Sequence, residues 1–153
     1  MAKIGIFSGS VYGGATGVAE FCAEKLEGAG HQVACFAEPV YDDLTGNEFD
    51  LLLFVSSTTG QGDLPDNIAP MIFTMKDRFP LQNGRPYAVI GLGDSSYGDT
   101  YCNAGKQIDE LLQELQGNAL IERLDIDACE HLDPIDAVEP WFEGFLNKVS
   151  ALA

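Results

Sequence analysis

Close to its amino-terminal end the chain reads Ile4-Gly5-Ile6-Phe7 and then Ser8-Gly9-Ser10-Val11-Tyr12-Gly13-Gly14-Ala15-Thr16. The short apolar run predicts a buried strand, and apolar residues from Gly17 onward recur at helical spacing. A glycine-rich loop between a strand and a helix presents backbone N–H groups to an anion. We therefore predict a phosphate site here, with a turn that holds no ligand as the alternative.

The same loop nearly matches the phosphate loop of ATP-binding proteins. The stretch Gly9-x4-Gly14-Ala15-Thr16 has the required spacing, but Ala15 stands where that motif has its lysine. The lysine supplies positive charge to the distal phosphates, and the nearest cations in this sequence are Lys3 and Lys25. The pattern thus argues against hydrolysis of a nucleoside triphosphate and favours a phosphate held by neutral dipoles.

The chain is strongly acidic: of 153 residues, 24 are Asp or Glu and 8 are Lys or Arg, for a formal net charge of −16. Such a charge repels nucleic acid and anionic membranes, and it favours partners with a basic face. The length predicts one domain over residues 1–153. Four single cysteines without metal-ligand spacing indicate reduced thiols, and no apolar run approaches membrane-spanning length. We therefore predict a cytoplasmic protein without a bound metal.

Apolar segments and helical spacing alternate along the chain. The predicted strands are residues 3–7, 32–36, 51–55, 87–90 and 119–124. The predicted helices begin near Gly17 and near Asp66, and two more follow around Ile108 and Trp141, with a helical turn at 41–44. Such an alternation predicts a parallel sheet with helices on both faces.

Three of these strands lead into unusual loops, at residues 8–16, 56–63 and 91–103. The carboxyl ends of parallel strands meet at one edge of a sheet, where ligands bind. The second loop is rich in hydroxyl groups, and the third contains Tyr97 and Tyr101. Together the loops predict a site for a phosphate that is joined through a polar linker to a flat ring. Packing of the two tyrosines onto the base of their own loop is the alternative.

Four motifs carry a family resemblance: Gly9-Ser10-Val11-Tyr12-Gly13, Ser57-Thr58-Thr59-Gly60-Gln61-Gly62-Asp63-Leu64-Pro65-Asp66, Gly93-Asp94-Ser95-Ser96-Tyr97 and Cys102-Asn103-Ala104-Gly105-Lys106. On these motifs the sequence resembles short-chain bacterial flavodoxins, most closely those of the MioC and YqcA type. The resemblance runs from the first strand to the last helix. It implies a flavodoxin-like three-layer α/β sandwich, with a five-stranded parallel sheet in the order 2-1-3-4-5 and helices on both faces.

The resemblance also implies FMN as the cofactor, bound without a covalent link. The loop that corresponds to the family's phosphate loop contains Ser10, Val11, Tyr12, Gly13, Gly14 and Ala15. The loop over one face of the flavin ring contains Ser57, Thr58, Thr59, Gly60 and Gln61. The loop over the other face contains Leu92, Gly93, Asp94, Tyr97, Tyr101, Cys102 and Asn103, with Tyr97 as the stacking aromatic residue.

Three departures from the family pattern fall within this site. Tyr12 and Ala15 stand where the phosphate loop usually has threonines. Thr59 stands where many relatives have an aromatic residue over the ring, and the third loop is one residue longer between Tyr97 and Asn103. Compared with the family pattern, these departures imply fewer hydroxyl contacts to the phosphate and aromatic stacking on only one face of the ring.

As a function, the resemblance implies a monomeric one-electron carrier rather than an enzyme, so no catalytic residue is assigned. The electron donor would be an NADPH-dependent flavoprotein reductase of the ferredoxin/flavodoxin–NADP reductase type, and the acceptors would be other redox proteins. Basic docking faces on these partners would meet Asp63, Asp66, Asp94 and Asp99. The alternative is an FMN-dependent quinone or nitro reductase on the same fold.

Overall fold

The computed structural model describes residues 2–10, 13–59, 62–94 and 102–152. Strands and helices alternate along the described chain, except that two short strands follow each other before the last helix. In order they are β1 (Lys3–Gly9), α1 (Gly14–Gly28), β2 (Gln32–Phe36), α2 (Tyr41–Thr45), β3 (Leu51–Ser57), α3 (Ala69–Arg78), β4 (Pro86–Gly93), α4 (Asn103–Glu114), β5 (Asn118–Ala119), β6 (Leu124–Asp127) and α5 (Pro134–Leu152). Within the described residues, none of the helices is long and apolar enough to cross a membrane.

The strands form one parallel sheet in the order β2-β1-β3-β4-β5. The strand β6 also pairs with β4, at residues that follow those paired with β5. This order confirms the predicted 2-1-3-4-5 arrangement, with two short strands sharing the fifth place. Parallel pairing of β1 with β3 aligns Gly9 with Ser56, and pairing of β3 with β4 aligns Ser57 with Leu92. The three strands therefore end side by side, and the loops that follow them start at one edge of the sheet.

The predicted last strand at 119–124 is wrong in its extent. β5 pairs with β4 through Asn118 and Ala119, and β6 resumes the pairing only at Leu124. Between Ala119 and Leu124 the edge chain has two residues more than β4 has between Tyr87 and Ile90, so the ladder is interrupted as in a bulge. The carbonyl of Glu122 in this segment instead accepts a hydrogen bond of 3.0 Å from the Trp141 indole N–H of α5.

Apolar side chains of β3 alternate between two cores. Leu51, Leu53 and Val55 lie in a core with α1 and α5, whereas Leu52 and Phe54 lie in a core with α3 and α4. All five are fully buried, and complete burial of such a side chain contributes about 1.5–3 kcal/mol. Because the continuously apolar strand is covered on both faces, the predicted three-layer arrangement is confirmed.

Two helices begin elsewhere than the spacing of apolar residues predicts. α1 begins at Gly14 rather than near Gly17, so Ala15 and Thr16 belong to its first turn. α3 begins at Ala69 rather than near Asp66, because residues 66–68 form a turn in which the N–H groups of Ile68 and Ala69 both donate to the Pro65 carbonyl. Ala15 is the only apolar residue in the first turn of α1, which is too little for a helical pattern, whereas the buried Ile68 extends the apolar spacing to residues before the start of α3.

α4 packs directly on β4 through two glycines. A Cβ atom on Gly105 of α4 would lie 2.9 Å from the Cα atom of Gly91 in β4. Real side chains do not approach a backbone atom so closely, so the absence of a side chain at Gly105 sets the distance between helix and sheet. This contact fixes the start of α4 at the edge of the sheet where the loops lie.

We expect Gly105→Ala to lower the free energy of unfolding by about 1–3 kcal/mol, because the added methyl group forces α4 away from β4. Gly17→Ala in α1 is the matched control, since nothing lies within 4 Å of a Cβ atom at that position. The control should raise the free energy of unfolding by about 0.5–1 kcal/mol, as alanine is the better helix former. Urea unfolding followed by circular dichroism measures both values. Equal changes in the two variants would contradict the close packing of α4 on β4.

Candidate cofactor site

The first loop ends at a helix start that is open to an anion. Gly13 is the N-cap of α1 and has a φ of 86°, a left-handed conformation that favours glycine. The first intrahelical bond runs from Gly17 N–H to the Gly13 carbonyl at 2.9 Å. The N–H groups of Gly14, Ala15 and Thr16 come before it and have no helical acceptor. With no acidic residue in the first turn, this helix start suits a phosphate.

Ala15 lies in this first turn with its side chain fully buried in the core against the sheet. Its backbone N–H is therefore the group that it offers to a ligand.

Ser10 holds the entry to this loop. Its Oγ accepts a hydrogen bond of 2.8 Å from Gly13 N–H, which ties the first residue after β1 to the N-cap of α1. Its own backbone is bonded to the side chain of Asn67, a residue that no motif in the sequence indicates. Ser10 N–H donates to Asn67 Oδ1 at 3.0 Å, and Asn67 Nδ2 donates to the Ser10 carbonyl at 3.0 Å.

The second loop is closed on itself and bonded to the third. Thr59 and Asp63 form an antiparallel bridge, in which Thr59 N–H donates to the Asp63 carbonyl and Asp63 N–H donates to the Thr59 carbonyl, each at 2.9 Å. Thr58 N–H donates to the Leu92 carbonyl at 3.1 Å, and Thr58 Oγ1 accepts from Ala104 N–H at 3.2 Å. Thr58 thus connects the end of β3 with the end of β4 and the start of α4.

The end of β4 at Gly93 and the start of α4 at Cys102, which the third loop connects, lie against each other. A Cβ atom on Gly93 would lie 2.6 Å from the Cys102 backbone nitrogen, so only glycine allows this approach. Cys102 is the N-cap of α4, and its φ of 51° is a left-handed conformation that is uncommon for cysteine. Its buried Sγ lies 3.7 Å from the Ile126 carbonyl of β6. The base of the third loop is therefore closed around Cys102.

The side chains of Asn103 and Gln107 join the second loop to α4. The Gly62 carbonyl accepts hydrogen bonds from Asn103 Nδ2 at 2.8 Å and from Gln107 Nε2 at 3.0 Å. Gly62 itself has a φ of 94°, and a Cβ atom there would lie 2.9 Å from Asn103 Nδ2. Asn103 was predicted to lie at the cofactor. Gln107 was not predicted, because a glutamine between the apolar residues of a helix is typical of its solvent-facing side.

The predicted site residues that the structure describes come together at this edge of the sheet. They are Ser10, Gly13, Gly14, Ala15, Ser57, Thr58, Thr59, Leu92, Gly93, Asp94, Cys102 and Asn103. The others lie outside the described residues, namely Val11, Tyr12, Gly60, Gln61, Tyr97 and Tyr101, as does Asp99. Contact with a cofactor stays a prediction for all of them.

A cavity of about 340 Å³ opens between the first and second loops, and its described lining residues are Ser10, Thr59, Asp66 and Asn67. A larger cavity of about 570 Å³ lies between the sides of α2 and α3 and includes Tyr41, Thr74 and Arg78 in its lining. We place the candidate site at the smaller cavity, because it adjoins the helix start with backbone N–H groups that suit an anion.

Two carboxylates pair with Arg123, which lies just before β6. Arg123 forms ion pairs of 3.0 Å with Asp109 and 2.9 Å with Asp125. The pKa of the Arg123 guanidinium is raised above its usual value, mainly by the hydrogen bond to Asp125. Its charge is therefore balanced, while the three loops themselves contain no Lys or Arg in the sequence. A bound phosphate would be held by dipoles rather than by cations.

A small polar cluster borders the third loop. Cys129 Sγ lies 3.0 Å from Asp94 Oδ1, and Cys129 N–H donates to Asp127 Oδ1 at 2.9 Å. The thiol and one oxygen of each carboxylate lie within 4.8 Å of one another. Hydrogen bonds within the cluster account for this proximity, and they hold Asp94 near the end of β4.

Comparison with known proteins agrees with this geometry. The family model described as Flavodoxin matches residues 6–141. Flavodoxin YqcA of Escherichia coli strain K12 is 45% identical over 143 residues, which cover 94% of this chain and 95% of the relative. Protein MioC of the same strain is 35% identical over 147 residues, which cover 96% and 98%.

Among solved structures, a cysteine-to-alanine variant of a flavodoxin from Pseudomonas aeruginosa superposes with a TM-score of 0.91 at 40% identity. The match covers 97% of this chain and 99% of that one. The resemblance to the MioC and YqcA type is thus confirmed, and FMN is the cofactor of this family. The chain belongs to the flavodoxin family.

Proposed function

We propose that this chain, as one domain over residues 1–153, binds FMN and carries single electrons between redox proteins. The observation that supports this most directly is the start of α1, where the N–H groups of Gly14, Ala15 and Thr16 have no helical acceptor. Bound FMN would supply the one-electron chemistry. The chain's own residues would bind the phosphate, enclose the ring and set the charge around it.

The phosphate would be held by the N–H groups of Gly14, Ala15 and Thr16 together with the Ser10 hydroxyl. Ser10 Oγ already accepts from Gly13 N–H, so its own proton is left to donate to a phosphate oxygen. Ser57, Thr58 and Thr59 lie at the end of β3, and Leu92, Gly93 and Asp94 lie at the end of β4. These two groups border the space in which the ring would lie.

Charge supports the carrier role. A chain with a net charge of −16 and no Lys or Arg in the three loops opposes the addition of further negative charge to a bound ring. The second electron should therefore be added at a lower potential than the first. Exposed carboxylates at the same edge, such as those of Asp63 and Asp66, would attract the basic face of a reductase or an acceptor.

The donor in this proposal is a ferredoxin/flavodoxin–NADP reductase, and the acceptors are redox proteins with basic docking faces. Because one chain contributes all three loops, the carrier would act as a monomer. The four single cysteines fit the predicted cytoplasmic location, where thiols stay reduced.

FMN added to the ligand-free protein should bind in an equimolar amount. Stepwise reduction under anaerobic conditions should then give two resolved one-electron stages in the absorption spectrum. Protein that takes up no FMN would contradict the proposal. Steady oxidation of NADPH with a quinone by the purified protein alone would instead indicate a reductase.

The docking proposal predicts that Asp63→Asn slows electron transfer from a ferredoxin/flavodoxin–NADP reductase. Stopped-flow rates at low ionic strength should fall by about two- to fivefold, and the difference should vanish in high salt because the charges are screened. Asp77→Asn is the matched control, since Asp77 is exposed near the end of α3 that points away from the loops. An equal effect of both variants would mean that net charge alone matters and would contradict docking at this edge.

A further inference from the structure

Asn67 bonds to both polar groups of the Ser10 backbone. It receives the N–H of Ser10 on Oδ1 and donates from Nδ2 to the Ser10 carbonyl, each at 3.0 Å. A side-chain amide presents one acceptor and one donor next to each other, so it pairs with a single residue's backbone as a neighbouring strand would. The two residues are 57 positions apart in the sequence. This contact therefore joins the phosphate loop to the segment before α3.

The position of Asn67 is fixed from its own side. It lies in the turn at residues 66–68, where the next residue, Ile68, is fully buried and bonded through its N–H to the Pro65 carbonyl at 3.0 Å. The turn lies tightly against the end of β1, since a Cβ atom on Gly9 would lie 2.7 Å from Ile68 Cβ. Asn67 thus reaches Ser10 from a rigid support.

Fixing Ser10 has a direct consequence for the phosphate loop. Ser10 Oγ accepts from Gly13 N–H at 2.8 Å, and Gly13 is the N-cap from which α1 begins. The chain of contacts therefore runs from Asn67 through Ser10 to Gly13. Hydrogen bonds within the chain itself therefore hold Ser10 and Gly13, two residues of the phosphate loop.

We propose that Asn67 is a positioning residue for the phosphate loop, and that it favours binding of the phosphorylated flavin over the unphosphorylated one. The proposal rests on the proposed function. A loop that is ordered before binding loses less conformational entropy when the phosphate arrives, so its affinity is higher. Asn67 acts through Ser10, and direct contact with the phosphate is not required.

The test compares FMN with riboflavin, which has the same ring and lacks the phosphate. In Asn67→Ala the dissociation constant for FMN should rise on the order of tenfold, as two hydrogen bonds to the loop are lost. The dissociation constant for riboflavin should change by less than about twofold, since a role limited to the phosphate loop leaves the ring site intact. Quenching of flavin fluorescence measures both constants.

Two further variants calibrate the result. Asn47→Ala removes an asparagine that also bonds to a backbone carbonyl, that of Asp43 at 3.0 Å, in the segment after α2. It should leave the ratio of the two dissociation constants unchanged. Ser10→Ala should reduce the preference for FMN, because it removes the hydroxyl group through which Asn67 acts.

Hydrogen exchange of the ligand-free protein gives a second readout that does not depend on bound flavin. The Ser10 amide should be protected in the unmodified protein, and this protection should be lost in Asn67→Ala and kept in Asn47→Ala. Rapid exchange at Ser10 in the unmodified protein would overturn the proposal even if the alanine variant fails to fold.

The outcomes separate the two proposals. If the unmodified protein prefers FMN and Asn67→Ala prefers it equally, or loses affinity for both flavins to the same degree, Asn67 is not specific to the phosphate loop. The present inference is then wrong, while the carrier function stands. If the unmodified protein binds neither flavin, the proposed function is wrong and the inference falls with it.

Discussion

Parallel pairing of β1, β3 and β4 is the constraint on which the candidate site depends. The register that aligns Gly9 with Ser56 and Ser57 with Leu92 makes the three central strands end together. Hydrogen bonds then link the loops that follow. Asn67 joins the first loop to the turn before α3, while Thr58, Asn103 and Gln107 join the second loop to the end of β4 and to α4. Each loop is therefore supported by a neighbour as well as by its own strand.

Glycines allow this arrangement at the points where backbones meet. Gly9 lets the turn before α3 approach β1, Gly93 lets Cys102 approach β4, and Gly105 lets α4 approach the sheet. In each case a Cβ atom would lie within 3.0 Å of another residue. The glycine content of the loops thus serves close packing as well as the open helix start at Gly13.

Electrostatics gives the site its second property. The helix start offers partial positive charge from backbone dipoles, and the sequence of the three loops contains no Lys or Arg. Arg123, which lies just before β6, is paired with Asp109 and Asp125. A phosphate can therefore bind without a full positive charge close to the ring. Such a charge would stabilise the reduced flavin.

Much of this could be predicted from the sequence, because periodic burial and glycine-rich loops are local signals. The apolar run at residues 51–55 predicted the central strand, and the loops at residues 8–16, 56–63 and 91–103 predicted the edge of the sheet at which the site lies. The interruption between Ala119 and Leu124 was missed, since two extra residues relative to β4 leave no mark on hydrophobicity. Asn67 and Gln107 were missed for another reason: their partners, Ser10 and Gly62, are 57 and 45 positions away. No pattern within a loop or helix reports such contacts.

FMN bound among the three loops should change the chemical shifts of their amide groups. Two-dimensional 1H–15N NMR spectra should be recorded on the ligand-free protein and again after addition of FMN. We expect large shifts for Gly14, Thr16, Thr58, Gly93 and Asn103, with little change at Tyr41 and Thr74 beside the larger cavity. Shifts concentrated at that cavity between α2 and α3, with the loop signals unchanged, would contradict an FMN site among the three loops.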